Sequence, residues 1–434
     1  MGVKTGEERD DNSMRNLARS RYILTLAFLA AGALAQPGRA QEWTRFRGPN
    51  GSGISNATTV PVEFSEKDFN WKVQLPGAGH SCPVFWKGRT YLTSADKDAG
   101  KRYLVCLRVS DGGEVWRKEY SFPAHPKHNF NSFASSTPTV DDRGVYVTWN
   151  TPTAYEVLAF DHSGRELWKR DLGGYTANHS GGSSPVVNGE QVIVAKEPDD
   201  GESTLIALDR RTGAVKWQRT RPGKNAVYAT PLIYAPKGDP VQAIFASTLH
   251  GVTSLDVKTG EVVWEVPGLF KMRPVASPIQ VGELIVVCTG QGSGGRSTEM
   301  VAIMPGSRSK RTQAKVAYRP DRGYSYVPTP VAYKDWIFYW GDAGIVACTE
   351  AATGKEVWRE RVGGDFFASP ICVGGKLYCT NSRGEVICLE AGPQFRMLGR
   401  SNLGETCHST ASVLNGTLFL RTEGHLISVG GSKG

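Results

Sequence analysis

The apolar residues of this chain come in short runs separated by turn-forming residues. Residues 185–189, 192–195 and 205–208 show the pattern: β-branched and aliphatic residues are interrupted by Gly, Asn and Asp. Such runs are typical of antiparallel strands joined by hairpins, and no segment of useful length has the 3.6-residue periodicity of an amphipathic helix. The pattern therefore predicts an all-β protein.

The strands repeat in units that each begin with a small residue followed by proline, or by alanine in the last copy. Successive pairs lie 40 to 55 residues apart. The pairs are Cys82-Pro83, Thr137-Pro138, Ser184-Pro185, Thr230-Pro231, Ser277-Pro278, Thr329-Pro330, Ser369-Pro370 and Thr410-Ala411. A period of this length indicates a repeat architecture with one supersecondary element of about four strands per unit.

The turn before the fourth strand of a unit carries the sharpest motif, Gly-x-x-x-Trp. Its glycines are Gly112, Gly164, Gly213, Gly260 and Gly354, and its tryptophans are Trp116, Trp168, Trp217, Trp264 and Trp358. We expect the glycine to adopt a positive φ at a bulged turn and the tryptophan to pack against the neighbouring sheet. By its spacing, Tyr318 is predicted to take the tryptophan position in the fifth unit.

The two ends of the chain complement each other. Residues 409–429 have room for three strands and lack the tryptophan strand, whereas residues 70–75 form that strand alone and contain Trp71. Pairing the N-terminal strand with the C-terminal three would leave no open sheet edge. We therefore predict a single eight-bladed β-propeller of four-stranded antiparallel blades over residues 70–434.

The repeat resembles a known family. Residues 207–217 read Ala-Leu-Asp-Arg-Arg-Thr-Gly-Ala-Val-Lys-Trp, and residues 254–264 match the same pattern. Both are similar to the pyrroloquinoline-quinone (PQQ) repeat, which builds the propellers of quinoprotein dehydrogenases and of the outer-membrane assembly lipoprotein BamB. Residues 43–53 also resemble the leader segment of exported bacterial proteins with this repeat. The resemblance extends over the whole mature chain and implies an eight-bladed propeller.

The N-terminus has the pattern of a secretory signal. Three arginines precede an apolar stretch over residues 22–35, which is too short to span a bilayer comfortably. We predict a signal peptide over residues 1–40, with Met14 as a candidate start, and a leader segment over residues 41–69. No cysteine lies near the cleavage site, so no lipid anchor is expected. The mature protein should be periplasmic or extracellular, with no integral membrane segment.

The net charge and the positions of the cysteines limit which partners and which disulfides the sequence predicts. The net charge of +9 is compatible with anionic partners, but nucleic acid is not expected outside the cell. Cys106, Cys348 and Cys388 share a third-strand position with small residues in other units, and Cys82 precedes a proline. We expect these four to be buried free thiols. A disulfide involving Cys288, Cys372, Cys379 or Cys407 stays open.

The loops before the small-residue–proline pairs should gather at one mouth of the central channel. They contain five of the eight histidines, and His80 and His408 occupy the same position in neighbouring units. The candidate ligand-binding residues are His80, His128, His179, Lys224, Arg273, Arg322, Tyr326 and His408. Convergent polar and aromatic groups favour a binding site, although the same residues could serve only to satisfy loop backbone. Their spacing matches no metal motif, so no metal site is predicted.

Three functions are compatible with these features. The favoured one is a non-catalytic, monomeric scaffold for protein interaction or, as the resemblance to BamB implies, for envelope assembly. It would bind proteins or peptides by β-augmentation or at the mouth, where Tyr324, Tyr326, Phe366 and Phe367 could anchor a partner. The first alternative, implied by the resemblance, is a dehydrogenase that oxidises an alcohol or sugar with PQQ and calcium. The sequence has no Cys-Cys dipeptide of the kind typical of those enzymes, so neither a cofactor nor a catalytic residue is predicted. The second alternative is binding of a small anion or glycan at the mouth.

Overall fold

The computed structural model describes residues 43–291 and 297–431, and the predicted signal peptide lies outside this range. The described chain forms eight four-stranded antiparallel sheets around a central channel, which confirms the predicted all-β, eight-bladed propeller. Two short 3-10 helices, Pro49–Gly51 and Glu66–Asp68, lie in the leader. A further strand of the leader, β1, pairs in parallel with an inner strand of the seventh blade.

The strands are numbered in chain order. They are β1 (Ile54–Ser55), β2 (Phe69–Gln74), β3 (Val84–Trp86), β4 (Arg89–Asp96), β5 (Lys101–Arg108), β6 (Glu114–Ser121), β7 (Thr139–Val140), β8 (Val145–Thr151), β9 (Ala154–Phe160), β10 (Glu166–Asp171), β11 (Val186–Asn188), β12 (Gln191–Lys196), β13 (Glu202–Asp209), β14 (Val215–Pro222), β15 (Leu232–Tyr234), β16 (Gln242–Ser247), β17 (Gly251–Asp256), β18 (Val262–Val266), β19 (Ile279–Val281), β20 (Leu284–Gln291), β21 (Ser297–Met304), β22 (Lys315–Tyr318), β23 (Val331–Tyr333), β24 (Trp336–Trp340), β25 (Ile345–Glu350), β26 (Glu356–Arg361), β27 (Ile371–Val373), β28 (Lys376–Thr380), β29 (Glu385–Glu390), β30 (Met397–Asn402), β31 (Ser412–Leu414), β32 (Thr417–Arg421) and β33 (His425–Gly430). Blades 1 to 7 take four consecutive strands each, from β3 to β30.

Blade 8 closes the ring. It consists of β31, β32 and β33 together with β2, which pairs antiparallel with β33 so that Trp71 lies opposite Ser428. The predicted pairing of the N-terminal strand with the C-terminal three is therefore confirmed. The backbone hydrogen bonds between β2 and β33 therefore close the ring within a blade.

An aromatic side chain in the fourth strand joins each of several blades to the next one. Trp116 lies opposite Cys106 of its own blade, and its indole Nε1 donates to the carbonyl of His162 in blade 2 at 3.0 Å. Tyr318 takes the same position in blade 5, as predicted, because its hydroxyl donates to Ala351 of blade 6 at 2.7 Å. All eight cysteines are buried and free, as predicted for Cys82, Cys106, Cys348 and Cys388.

The glycine of the Gly-x-x-x-Trp motif packs against the tryptophan of the preceding blade. Gly213 has a φ of 69°, and a Cβ atom at this position would lie 2.7 Å from the Trp168 ring. The strand register shifts between Ala207 and Leu208, next to this turn, which confirms the predicted bulge. The glycine is therefore required twice, once for its backbone conformation and once for the space that the ring occupies.

The hydroxyls of the small residues form a ring around the channel. At seven steps, the backbone N–H of the small residue in one blade donates to the side-chain hydroxyl of its counterpart in the next blade. These bonds run from Cys82 to Thr137, Thr137 to Ser184, Ser184 to Thr230, Thr230 to Ser277, Ser277 to Thr329, Thr329 to Ser369 and Ser369 to Thr410, at 2.9–3.2 Å. A backbone hydrogen bond from Thr410 to the Cys82 thiol completes the circle. We call these eight residues the hydroxyl ring.

The leader packs beneath the hydroxyl ring. Arg47 is fully buried, and its guanidinium donates to the carbonyls of Thr329 at 2.6 Å, Pro330 at 2.8 Å and Pro370 at 3.0 Å. Arg45 donates in the same way to Pro231 at 2.9 Å. The leader thus links blades 4, 6 and 7 through carbonyls that no strand pairing uses.

The leader also replaces a missing side chain in blade 7. Gly399 stands opposite Cys388, where other blades have an aromatic residue, and a Cβ atom there would lie 2.4 Å from the carbonyl oxygen of Val62. Phe64 of the leader is buried in the core beside this position, and its backbone N–H donates to the Ser401 hydroxyl at 2.8 Å. The leader therefore fills the space that a tryptophan occupies elsewhere.

The hydroxyl ring can be tested at Thr137, which is 1% exposed. Thr137→Val keeps the shape of the side chain but removes the acceptor for the Cys82 N–H, so we expect a loss of about 1–3 kcal/mol in the free energy of unfolding. Thr137→Ser retains the hydroxyl and is the matched control. Urea unfolding measures both variants, and equal stability of the two would contradict a structural role for this bond.

Candidate functional site

A cavity of about 410 Å³ lies at the mouth end of the channel, above the hydroxyl ring. Loops from all parts of the propeller line it, and Phe46 of the leader forms part of its floor. Six of the eight residues predicted from the sequence line this cavity: His80, His128, His179, Arg273, Tyr326 and His408. The other two, Lys224 and Arg322, are exposed and lie outside the lining.

Two pairs of histidines face each other at the mouth. The rings of His80 and His408 lie 4.7 Å apart across the closure seam, and those of His128 and His179, on the loops that lead into blades 2 and 3, lie 4.4 Å apart. Within residues 43–291 and 297–431, no group of three or more His, Cys, Asp or Glu side chains is arranged to hold a metal ion. The rings of both pairs are in tilted contact, with interplanar angles of 30° and 34°.

Aromatic rings connect the two histidine pairs across the mouth. Phe130, on the long loop between β6 and β7, lies 4.9 Å from Phe367 of the opposite side and 5.1 Å from His128. Phe367 in turn lies 5.2 Å from His408. We call this series, from His408 through Phe367 and Phe130 to His128 and His179, the aromatic belt. Phe130 is 49% exposed, and it was not among the residues predicted from the sequence.

Two of the four aromatic residues expected to anchor a partner point elsewhere. Phe366 is fully buried and packs edge-on against Trp340, while Tyr324 is 8% exposed and stacks on Tyr339 at 4.6 Å. Both belong to the core, so this interpretation was wrong for them. Phe367 and Tyr326 do line the cavity. Because successive residues of an extended segment point in opposite directions, Phe366 and Phe367 cannot both face the channel.

Three of the histidines that line the cavity have a lowered pKa, which favours their neutral form. Burial, together with the nearby His408 and the buried Arg421 guanidinium, lowers the pKa of His80 well below its usual value. Burial also lowers the pKa of His408. The pKa of His179 is lowered to about 4 by burial, by His128 and by Arg273. Neutral imidazoles can accept or donate one hydrogen bond on each nitrogen and can stack on aromatic rings.

Arg273 and Asp342 bring charge to the cavity wall. The Arg273 guanidinium lies over the ring of Tyr228 at 6.0 Å and stands 3.6 Å from the carboxylate of Asp199. Asp342 is buried, and one of its oxygens accepts the backbone N–H groups of Tyr326 and Val327. Burial raises the pKa of Asp342 to about 6. The strongest permanent charge on the lining is therefore the arginine.

Buried arginines surround the cavity from below and from the side. Arg421 of blade 8 is fully buried, and its guanidinium donates to the Thr93 carbonyl at 2.6 Å and to the Ser81 hydroxyl at 2.7 Å, both in or next to blade 1. Arg47 lies beneath the ring and binds only carbonyls among the described contacts. Neither cation has a carboxylate partner among the described residues, so each adds positive potential to its surroundings.

Eight four-stranded blades, the Thr-Gly-x-x-x-Trp turn and a cavity above a ring of small residues define a PQQ-like repeat β-propeller. A family model described as outer membrane protein assembly factor BamB matches residues 100–320 and 312–394, and the chain belongs to this family. It is 27% identical over 140 residues to the outer membrane protein assembly factor BamB of Xanthomonas campestris pv. campestris, and this match spans 31% of each chain.

Solved structures share the fold over most of the chain. The crystal structure of BamB from Moraxella catarrhalis has a TM-score of 0.58 at 16% identity and covers 83% of this chain and 98% of that one. A europium-containing methanol dehydrogenase has a TM-score of 0.62 at 11% identity and covers 90% of this chain and 98% of that one. At these identities the likeness shows the fold alone.

The environment of His179 can be tested by its titration. We expect its imidazole NMR signal, assigned by its absence in His179→Gln, to titrate near pH 4. Because the folded pKa lies below the unfolded value of about 6.5, the unfolded chain binds more protons between these limits. The contribution of His179 to stability is therefore complete above pH 6.5 and decreases as the pH falls towards 4. A titration midpoint near 6.5 would contradict the buried, neutral state.

Proposed function

We propose that this protein is an exported, non-catalytic scaffold of the bacterial envelope that binds a segment of a protein partner at the mouth of the propeller. The aromatic belt is the observation that carries this proposal. It places the exposed ring of Phe130 directly over a preformed cavity of about 410 Å³. Aromatic side chains of this kind are the usual anchors of protein interfaces.

Family membership supports the cellular setting. The matching family and its Xanthomonas member are both described by their role in outer membrane protein assembly. Among the residues that the structure describes, no helix is long and apolar enough to cross a membrane. An exported propeller that interacts with other envelope proteins is consistent with both findings.

The mouth is favoured over the blade edges as the contact surface. A partner could in principle add a strand to an outer, fourth strand of a blade. In β14, however, two of the exposed positions carry basic side chains, Lys216 and Arg219. Charged residues on an edge strand oppose pairing with another chain. In blade 7 the leader packs beside the fourth strand at Gly399 and Ser401.

The scaffold proposal can be tested with variants of the aromatic belt. Phe130→Ser and Phe367→Ser should weaken partner binding about tenfold or more, because each removes an aromatic anchor. In cells that carry only these variants, the level of folded outer membrane proteins should decrease, as measured by heat-modifiable migration on gels. Val215→Ser is the matched control, because Val215 is 43% exposed on the outer strand of blade 3 and lies outside the cavity lining.

Deletion of the gene provides the critical comparison. If cells without the protein maintain normal levels of folded outer membrane proteins, the proposed role in envelope assembly is wrong. If the deletion has an effect but both belt variants restore function as well as Val215→Ser does, the protein acts in assembly through a surface other than the mouth.

We further propose that the cavity does not hold PQQ with calcium. Calcium requires several oxygen ligands, and the quinone carries three carboxylates that need cationic partners. Among the residues lining the cavity, Asp342 is the single carboxylate and Arg273 the single arginine or lysine. Asp342 already accepts two backbone N–H groups, and no two cysteines are adjacent in the sequence. This lining does not fit the cofactor.

Calorimetric titration of the purified protein with PQQ tests this proposal. We expect no binding that depends on calcium, because the single carboxylate of the lining, Asp342, already accepts two backbone N–H groups. Titrations with calcium and with a chelator are compared directly. Tight binding that appears only with calcium would overturn the proposal and favour the dehydrogenase alternative. Oxidation of alcohols or sugars with an artificial electron acceptor would then be the next assay.

A further inference from the structure

Arg273 is held in a fixed position at the cavity wall. It lies on the loop that leads into blade 5, and its carbonyl accepts the N–H of Gly290 at 3.1 Å, so the backbone on either side is tied to the β20 strand. The guanidinium lies over the ring of Tyr228. Both side chains line the cavity. An arginine fixed in this way presents its planar donors without a large loss of conformational entropy.

Two hydrogen-bond donors at this position donate to no acceptor among the described residues. They are Nη1 of Arg273 and the O–H group of Tyr228, and both atoms are buried. The Tyr228 oxygen accepts the backbone N–H of His179, which leaves its own proton without an acceptor. Burying a donor without a partner costs free energy, especially when the donor is charged. The hydroxyl remains protonated because burial raises the pKa of Tyr228. We propose that Arg273 and Tyr228 form a binding site for a carboxylate group inside the cavity.

The charge of Arg273 is only partly neutralised by the protein. Asp199 stands 3.6 Å from its Nη2 atom, which is a long contact for an ion pair. The carboxylate of Asp199 also accepts the N–H groups of Ala226 at 2.8 Å and Asn178 at 2.6 Å, so its charge is shared with the loop backbone. The buried cations Arg47 and Arg421 contribute further positive potential. These charges together favour an anion in the cavity.

The rest of the cavity indicates what the carboxylate is attached to. Val275 and Val327 line the wall near Arg273, and Phe130 and Phe367 cover the mouth. A cavity of about 410 Å³ holds much more than a carboxylate. The ligand is therefore a carboxylate on an apolar or aromatic body. A free aromatic acid and the C-terminal residue of a peptide share this chemistry. The site goes beyond the scaffold proposal and can be tested on the purified protein alone.

The test is a calorimetric titration with matched probes. The small acid is 3-phenylpropionate, and the peptide is Gly-Gly-Gly-Phe with a free C-terminus; each is compared with its neutral amide. We expect the carboxylate forms to bind about 10–100-fold more tightly than the amides, as is typical of hydrogen bonds to charged groups. Arg273→Gln should remove this difference, and Tyr228→Phe should reduce it. Thermal unfolding establishes that both variants are folded.

Arg322→Gln is the matched control, because Arg322 belongs to the next mouth loop but is exposed and lies outside the lining. It should bind all probes within about twofold of the wild-type protein, a change that corresponds to less than RT. Tighter binding of the peptide identifies a peptide terminus as the source of the carboxylate, and tighter binding of 3-phenylpropionate identifies a free acid. Equal binding of acids and amides, an equal loss in Arg322→Gln, or no binding of any probe would overturn the proposal.

Discussion

The hydroxyl ring is the interaction on which the rest of the molecule depends. Strand pairing stabilises each blade internally, and backbone–backbone bonds join the inner ends of neighbouring blades at a few steps, such as Ser81 to Ala134 and Ala276 to Tyr326. The ring adds a bond at every step, because a short side chain in one blade accepts the backbone N–H of the blade before it. Only a small residue fits where eight chains converge near an axis, and only Ser, Thr or Cys adds an acceptor there.

The ring also determines where the site lies. Each small residue directly follows a mouth loop, so fixing the ring brings eight loops to one cavity. The leader then binds the carbonyls on the other side of the ring through Arg47. Arg421 performs a similar task at the closure seam, where it joins blade 8 to Ser81 and Thr93. Arg47 and Arg421 therefore stabilise the architecture and also add positive electrostatic potential to the cavity, because both lie just outside its lining.

The repeat, the closure and the tryptophan positions were predictable because they depend on short segments. The Gly-x-x-x-Trp motif encodes a turn and a contact at fixed spacing, and Tyr318 could be placed by spacing alone. Most of the cavity lining was predictable for the same reason, since the mouth loops precede the small residues. Lys224 and Arg322 lie in these loops but point to solvent, because loop position does not determine the direction of a side chain.

Contacts between distant segments were not predictable from the repeat. Phe130 reaches Phe367 because the loop between β6 and β7 is long enough to extend over the mouth, and no spacing rule describes such a loop. The packing of Val62 and Phe64 in blade 7, where other blades have an aromatic residue, was unpredictable for the same reason. Here residues far apart in sequence meet at Gly399. The repeat alone indicated only that an aromatic residue was absent from this position.

The contacts that hold the blades together are made by other residues than the loop side chains that face the cavity. This difference explains why the fold does not determine what the protein binds. The ring, the turn glycines and the tryptophans are contacts between blades, and any propeller of this type needs them whatever it binds. The side chains that distinguish this cavity are Arg273, Tyr228 and the aromatic belt, which all lie in loops outside those contacts. These loops can change without loss of the frame, because the hydroxyl ring below them remains. The function of this propeller is therefore determined by the few side chains that stand above its ring.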